Sequence, residues 1–207
     1  MIIKQLSVGE LQANCYIVGC EETNKAVVID PGAEGTRILN TAIQLGLKIE
    51  YVLITHAHFD HIAACKDVVT GTNAKLLMHE NDALLLKNGG GAQFFGLPMP
   101  AHYEPDSYID DGDTINYGKC SLKVLHTPGH SPGHVSFYDA ENGVVFDGDV
   151  LFNGSIGRSD LPGGSFATLM NSIAEKLMTL PDETVVYSGH GTSTTIGEER
   201  VHNPFLR

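Results

Sequence analysis

The sequence has little positive charge and no long apolar run, and both shortages narrow the possible partners. Among its 207 residues, 13 are Lys or Arg and 25 are Asp or Glu, which gives a net charge of -12. This negative balance argues against nucleic acid as a partner, because a negative protein repels phosphates. No apolar run is long enough to cross a membrane, so no membrane partner is expected either.

Cysteine is also scarce. The four cysteines show no paired spacing: Cys15, Cys20, Cys65 and Cys120. Because no secretory signal opens the sequence, we expect a reduced, cytoplasmic setting. The proportions of 42% hydrophobic and 18% charged residues are typical of a globular protein. The length predicts one domain, residues 1–207, with a sizeable core.

Histidine, in contrast, is concentrated in one place. Three histidines and one aspartate lie within seven residues, Thr55-His56-Ala57-His58-Phe59-Asp60-His61. Imidazole nitrogen and carboxylate oxygen suit zinc or iron, and the lack of a thiolate argues against a closed structural site. Residues 51–54 form a short, β-rich apolar run, so we expect this metal-binding segment in the turn after a buried strand. A chance cluster of histidines on a solvent-exposed loop is a poor explanation, because three of these seven residues are histidine.

Three later loops offer further ligands, and each follows an apolar run that breaks into glycine. The runs 122–125, 143–146 and 184–187 precede His130, Asp149 and His190. Glycine lets the backbone and a side chain approach a ligand closely. The four ligands of segment 55–61 complete the coordination of two metal ions only if other loops contribute. These three residues therefore complete the candidate set.

The remaining pattern predicts two β-rich halves with helices between them. The predicted strands are 2–8, 15–18, 26–29, 122–125, 135–138, 144–146 and 185–187. The predicted helices are one carrying Ile38, Leu39, Ala42, Ile43 and Leu45, then 60–69, 82–86, and a core-facing stripe of Phe166, Leu169, Met170, Ile173 and Leu177. Two sets of strands with outer helices indicate an α/β fold, an αβ/βα sandwich with metals along one sheet edge. Residues 89–105 are either a mobile substrate lid or a long connector.

The pattern His56-x-His58-x-Asp60-His61, followed by His130, Asp149 and His190, resembles the metallo-β-lactamase superfamily. More narrowly, segments 154–160 and 189–199 resemble the short bacterial hydrolases related to glyoxalase II, the hydroxyacylglutathione hydrolases. The resemblance covers essentially the whole chain. It implies the metallo-β-lactamase fold, a four-layer αβ/βα sandwich with a dinuclear metal site at the sheet edge.

The resemblance also implies a role for each ligand. One metal is held by His56, His58 and His130, the second by Asp60, His61 and His190, with Asp149 as the bridge. The cofactors are two divalent ions, zinc first, with iron or manganese as alternatives. Asp60 is the expected catalytic residue, because its carboxylate can orient a metal-bound hydroxide and shuttle its proton. The implied reaction is hydrolysis of a small acyl thioester, such as S-lactoylglutathione or a related 2-hydroxyacyl thioester.

Arg158 matches by position the cationic residue that contacts glutathione in glyoxalase II. It is therefore the candidate substrate-binding residue, with a structural salt bridge to Asp160 or Asp149 as an equal alternative. Asp160 and Thr192 stand where that enzyme carries tyrosines, and the sequence ends soon after His190, before any helical carboxyl-terminal domain. We therefore expect weak binding of the thiol carrier.

Other functions stay open at this point. The persulfide dioxygenases also resemble this chain and would use one iron held by His56, His130 and Asp149. A lactone or other ester hydrolase and a non-catalytic metal- or thiol-binding module are further alternatives, and the oligomeric state is undetermined. β-Lactam hydrolysis is not expected, because β-lactamases of this fold usually carry cysteine at the position of Asp149. The other histidines are expected to form ordinary turn or core hydrogen bonds: His79, His102, His126, His134 and His202.

Overall fold

Two six-stranded sheets pack face to face at the centre of the molecule. The computed structural model describes all 207 residues. The first sheet runs in chain order: Ile2–Val8 (β1), Ala13–Gly19 (β2), Lys25–Ile29 (β3), Lys48–Leu53 (β4), Lys75–Met78 (β5) and Ser107–Tyr108 (β6). Strands β1 to β3 pair antiparallel, and β3 to β6 pair parallel. The carboxyl ends of β3, β4 and β5 therefore meet at one edge.

The second sheet has the order β14-β13-β10-β9-β8-β7, and a two-stranded hairpin, β11-β12, extends from it. Its strands and those of the hairpin are Thr114–Tyr117 (β7), Cys120–His126 (β8), Val135–Asp139 (β9), Val144–Gly148 (β10), Leu151–Phe152 (β11), Ser155–Ile156 (β12), Val185–Ser188 (β13) and Thr194–Thr195 (β14). Strands β10 and β13 are parallel neighbours, so the loops that follow them lie side by side.

Helices cover the outer face of each sheet. They are Gly35–Gln44 (α1), Phe59–Ile62 (α2), Cys65–Thr72 (α3), Ala83–Lys87 (α4), Phe166–Ser172 (α5) and Ile196–His202 (α6). Helix α5 continues into a wider π-helical turn, Ile173–Leu177. The longest helix has 10 residues, and none combines the length and hydropathy that a bilayer crossing requires.

Three apolar clusters separate the four layers. One lies between the first sheet and helices α1 and α3, the second between the two sheets, and the third between the second sheet and α5. Strand β2 alternates its side chains between the first two clusters, with Ile17 in one and Val18 in the other, which explains why all of its residues are buried. The predicted four-layer αβ/βα sandwich is confirmed, as are the predicted strands.

The helix predicted over 60–69 is wrong in one respect: it is broken into α2 and α3. The backbone N–H of Ala64 donates to the carbonyl oxygen of Pro31 at 2.9 Å. The neighbouring Gly32 lies so close that a Cβ there would be 1.6 Å from the Asp60 carbonyl oxygen. The turn after β3 therefore presses on the helix and takes one of its backbone hydrogen bonds.

The predicted stripe of the fifth helix is only partly buried. Leu169, Ile173 and Leu177 are fully buried, whereas Phe166 is 57% exposed. The buried residues are spaced by four, and the π-helical turn that carries the last two keeps this spacing on one face. Phe166 stands at the first turn, outside the third cluster.

Candidate metal centre

The seven predicted ligands lie together where strands of both sheets end. The segment 56–61 follows β4 and enters α2, and His130 lies in the connection between β8 and β9. Asp149 and His190 follow the parallel neighbours β10 and β13. The first sheet also fixes the His190 loop, because the Asn14 backbone N–H donates to the Gly189 carbonyl at 2.7 Å.

Three imidazoles form a compact first group, His56, His58 and His130. The Nε2 atoms of His56 and His130 are 3.2 Å apart, and His58 Nδ1 is 2.8 Å from His130 Nε2. Burial, followed by the neighbouring imidazoles, lowers the pKa of His56 far below its usual value and that of His58 to about 3. The rings of His56 and His58 are therefore neutral and offer nitrogen lone pairs rather than charges.

In His56 and His130, the second ring nitrogen, Nδ1, is held by a hydrogen bond. The Thr55 hydroxyl donates to Asp30 Oδ2 at 2.6 Å, so it accepts from His56 Nδ1–H at 3.0 Å. His130 Nδ1–H donates to the Arg158 carbonyl at 2.7 Å. Both Nε2 atoms are then left as acceptors that face each other. Two nitrogen ligands about 2.0 Å from a tetrahedral ion would stand about 3.3 Å apart, which is close to the spacing observed here.

The second group is Asp60, His61 and His190. His190 Nε2 is 3.2 Å and His61 Nε2 is 3.7 Å from Asp60 Oδ2. Burial by itself lowers the pKa of His61, but the surrounding carboxylates, Asp149 first, outweigh it and raise that pKa to about 10. Negative charge therefore dominates this half of the site and favours a cation.

Asp149 lies between the two groups. Its Oδ1 is 3.6 Å from His61 Nε2, and its Oδ2 is 3.6 Å from His130 Nε2 and 3.7 Å from His190 Nε2. Asp149 Oδ1 and His61 Nε2 are buried and have no hydrogen-bond partner. Unpaired buried polar atoms are rare and costly, and here they face each other across the site. The donor set and these two orphaned atoms fit a pair of bound metal ions.

Glycine makes this close packing possible, as the sequence predicts. A Cβ on Gly189 would lie 2.2 Å from Asp149 Oδ1 and 2.8 Å from His61 Cε1. Any side chain there would displace the carboxylate between the two groups. The glycine before His190 is therefore a requirement of the site.

Three buried residues that the sequence did not identify hold the ligands in place. Asp30 accepts from the backbone N–H of Thr55 at 2.8 Å and lies 3.0 Å from His61 Nδ1, so it orients the second group. Asp82 accepts from Ala57 N–H at 3.0 Å and from the Ser131 hydroxyl at 2.7 Å. It therefore ties the 56–61 segment to the His130 loop.

The third residue is His134, which was expected to form an ordinary hydrogen bond. Its Nδ1 is 3.0 Å from the Thr127 hydroxyl, and its Nε2 accepts from the Asp149 backbone N–H at 3.1 Å. Its ring also stacks on His56, with centroids 5.0 Å apart and planes 20° apart. His134 thus positions the bridging carboxylate and one imidazole.

A pocket of ≈ 460 Å³ opens beside the ligands and is lined on its polar side by His58, Asp60, His130, Asp149 and His190. The segment Gly89–Phe95, which is kinked at Gly90 and Gly91, supplies part of its apolar side. Gly90, with φ +64°, packs directly on the metal-binding segment: a Cβ there would lie 2.3 Å from the Phe59 nitrogen and 2.6 Å from the Ala57 carbonyl oxygen. The first part of segment 89–105 is therefore packed against the metal-binding segment and forms a fixed wall of the pocket.

Arg158 also lines the pocket. Its Nε and Nη2 donate to Asp160 Oδ1 and Oδ2 at 2.8 and 2.9 Å. Both predicted roles are thus compatible with its position, and the bridge to Asp160 is the contact observed.

A separate cluster of His79, Asp110 and His126 does not have metal-site geometry. The two rings are stacked, with centroids 4.2 Å and planes 6° apart. Nitrogen lone pairs lie in the ring planes, so those of parallel stacked rings do not converge on one ion. His79 Nδ1 instead accepts from the Asn81 backbone N–H at 3.1 Å.

A four-layer sandwich with two ligand groups at one edge defines a metal-dependent enzyme of the metallo-beta-lactamase class. Residues 8–190 match the metallo-beta-lactamase superfamily, and the chain belongs to it. The hydroxyacylglutathione hydrolase GloC of Haemophilus influenzae is 38% identical over 209 residues, which cover 100% of this chain and 98% of that protein. The human mitochondrial persulfide dioxygenase ETHE1 is 34% identical over 196 residues, which cover 92% and 70%.

Solved structures agree with the fold. The BLEG-1 B3 metallo-beta-lactamase superposes with a TM-score of 0.94 at 38% identity, covering 99% of both chains. TTHA1623, in a di-iron-bound form, superposes with a TM-score of 0.90 at 41% identity, covering 98% of this chain and 100% of that one. The family and the di-iron relative support a dinuclear metal site, and they leave the metal and the substrate open.

Proposed function

We propose that this chain is a dinuclear metal hydrolase of small acyl thioesters, such as S-lactoylglutathione or a related 2-hydroxyacyl thioester. The observation that carries the proposal is the pair of complete ligand groups, joined through Asp149, on the polar side of an open pocket. The similarity to GloC over the whole chain supports the thioester as the substrate class.

In this proposal His56, His58 and His130 would hold the first ion, Asp60, His61 and His190 would hold the second, and Asp149 would be shared between them. Two divalent ions, zinc or iron or manganese, supply Lewis acidity that activates water and polarises an acyl carbonyl. A thiolate is a good leaving group, so the protein needs no strong acid to release it. His134 and Asp30 keep the ligands oriented through the hydrogen bonds described above.

Asp60 is the residue we assign to proton transfer. Its carboxylate lines the pocket and accepts from His190. Burial alone would raise the pKa of Asp60, but the hydrogen bond from His190 and the charge of His61 lower it overall. The side chain is therefore ionised at neutral pH, which is the state that a residue needs in order to orient the attacking water and take up its proton. Arg158 is the proposed contact for the substrate outside the acyl group.

A second candidate is persulfide oxidation with one iron at His56, His130 and Asp149, which the 34% identity to human ETHE1 favours. The complete second group of Asp60, His61 and His190 favours the hydrolase. We still predict that this chain does not hydrolyse β-lactams. Because it is similar to the BLEG-1 B3 metallo-beta-lactamase, a β-lactam must be included in any substrate screen.

The deciding experiment is a turnover screen on protein of measured metal content. Lactoylglutathione, a lactone, a β-lactam and glutathione persulfide are offered separately, with thiol release, hydrolysis and oxygen uptake recorded. We expect thiol release from the thioester without oxygen consumption. Oxygen uptake with persulfide and no thioester cleavage would replace the hydrolase with the dioxygenase.

A further inference from the structure

The side of the pocket away from the ligands is apolar. It is formed chiefly by Leu11, Phe59, Phe94, Phe95, Phe152 and Leu161. Phe94 and Phe95 are 66% and 48% exposed, so two aromatic rings present much of their area to water beside a polar site. Contiguous exposed apolar surface in a cleft is typical of a surface that buries a ligand.

This apolar wall is preformed and extends beyond the pocket. The ring centroids of Phe59 and Phe95 are 5.2 Å apart, with the planes at 47°. Gly90 packs against the backbone of residues 57 and 59, so the segment that carries Phe95 is fixed against the metal-binding segment. A second cleft of ≈ 320 Å³ shares Leu11, Phe59 and Asp60 with the first and continues along Leu97 and Met99. An apolar group longer than the acyl part therefore has a surface to follow.

The arginine of the pocket is already paired with a carboxylate. Apart from histidines, Arg158 is the one cationic residue of the lining. One edge of its guanidinium, formed by Nε and Nη2, donates to both carboxylate oxygens of Asp160 in a two-point ion pair. The whole chain carries a net charge of -12, which repels anions. Beyond the metal ligands, a carrier thiol with two carboxylates, such as glutathione, therefore meets no lysine and no arginine that lacks a carboxylate partner.

We infer that the pocket selects thioesters whose thiol half is apolar and uncharged, in preference to the anionic peptide thiol glutathione. The inference rests on the proposed thioester hydrolysis and adds the chemistry of the carrier. The acyl group lies at the ligands, and the thiol half lies along Phe94, Phe95 and Phe152. Asp160 sets this preference on the charged side, because it neutralises Arg158.

The first test compares two thioesters of the same lactoyl group, one with glutathione and one with phenylmethanethiol. We expect kcat/KM to be at least about tenfold higher for the phenylmethanethiol ester, through a lower KM, because its ring is buried against the wall. Phe94→Ala and Phe95→Ala should each reduce this ratio by roughly three- to tenfold. Phe166→Ala removes an aromatic ring that is 57% exposed and outside the pocket, so it should leave the ratio unchanged.

The second test releases Arg158. In Asp160→Asn the guanidinium loses its charged partner, so KM for lactoylglutathione should fall by roughly threefold while that for the phenylmethanethiol ester stays the same. Adding Arg158→Ala to Asp160→Asn should abolish the gain. An unchanged lactoylglutathione KM in Asp160→Asn would show that this ion pair does not set carrier preference.

Binding of thioethers separates the inference from the proposed reaction, because thioethers are not hydrolysed. Dissociation constants are measured by calorimetry on the metal-loaded protein for S-methylglutathione and for benzyl methyl sulfide. Tighter binding of the benzyl compound, weakened by Phe95→Ala, supports the inference even if no thioester turns over, in which case the hydrolase proposal alone fails. Equal or tighter binding of the glutathione compound, or no binding of either, overturns the inference.

Discussion

Asp60 is the side chain whose chemistry is most open to a direct test. Its carboxylate is shared between the ligand group and the pocket. Asp60→Asn keeps the size of the side chain but removes the proton acceptor, so we predict that kcat for thioester hydrolysis falls by about 10²- to 10⁴-fold while the fold is retained. Steady-state kinetics, thermal unfolding and metal analysis on the same preparation measure the three quantities.

Asp67→Asn is the matched control, because Asp67 is an exposed carboxylate on α3, away from the pocket. It should keep parental turnover. Near-parental kcat in Asp60→Asn would remove Asp60 from the mechanism, whatever its effect on metal content.

His134 gives a residue-scale prediction about positioning. His134→Ala leaves the Asp149 backbone N–H without its buried partner and removes one of the two partners of the Thr127 hydroxyl, which keeps Ser136. We predict a loss of about 1–3 kcal/mol in the free energy of unfolding and a roughly 10- to 100-fold weaker metal affinity, because Asp149 is no longer held. His202→Ala, at a side chain that is 67% exposed, should change neither quantity. Lost stability with parental metal affinity would make His134 a core residue only.

At the scale of single residues, the sequence identifies the candidate metal ligands but not the residues that hold them in place. The ligands are recognisable because histidine and aspartate are dense in one segment and glycine follows the apolar runs elsewhere. Asp30 and His134 also stand near glycine in turns, but their roles cannot be read from that position, because the partners that define them lie on other loops. Asp82 carries no local signal, and it accepts from residues 25 and 49 positions away in the chain. The position of Asp30 directly after a predicted strand is visible in the sequence, whereas its burial is visible only in the structure.

At the scale of elements, the segment Gly89–Phe95 yields a test between a lid and a wall. Gly90 and Gly96 both have positive φ, at +64° and +69°, but a Cβ on Gly90 meets backbone at 2.3 Å and one on Gly96 meets nothing within 4 Å. We therefore predict that Gly90→Ala costs at least about 1 kcal/mol more stability than Gly96→Ala and also impairs turnover. Denaturant unfolding and kcat measure the difference. A mobile lid would tolerate both substitutions equally.

Elements whose residues alternate or recur in period were predicted correctly, and those shaped by distant contacts were not. Strands such as β1 and β10 show in the sequence because their apolar runs stand between turn residues. The break between α2 and α3 does not, because it is caused by Pro31 and Gly32, about thirty residues earlier. The exposed Phe166 fits the helical period of α5 equally well, yet it lies outside the third cluster, and the period alone does not show this.

At the scale of the whole molecule, metal binding should join the two halves of the sandwich. The segment 56–61 follows a strand of the first sheet, whereas His130, Asp149 and His190 follow strands of the second. Ions bound between them therefore cross-link two layers that otherwise meet through the central apolar cluster. The predicted single domain, 1–207, is consistent with this arrangement and stays a prediction.

We predict close to two metal ions per chain in the native protein and a marked loss of stability on chelation. With free metal at a thousand times its dissociation constant, each ion adds about 4 kcal/mol, which corresponds to on the order of 10 °C in Tm for a chain of this size. Elemental analysis gives the stoichiometry, and calorimetry of the native, chelated and reloaded protein gives the shift. Asp149→Ala removes the carboxylate between the groups, so it should bind fewer than two ions and show a smaller shift on chelation. A well-folded native preparation with one ion per chain, or a Tm that chelation leaves unchanged, would contradict the dinuclear centre.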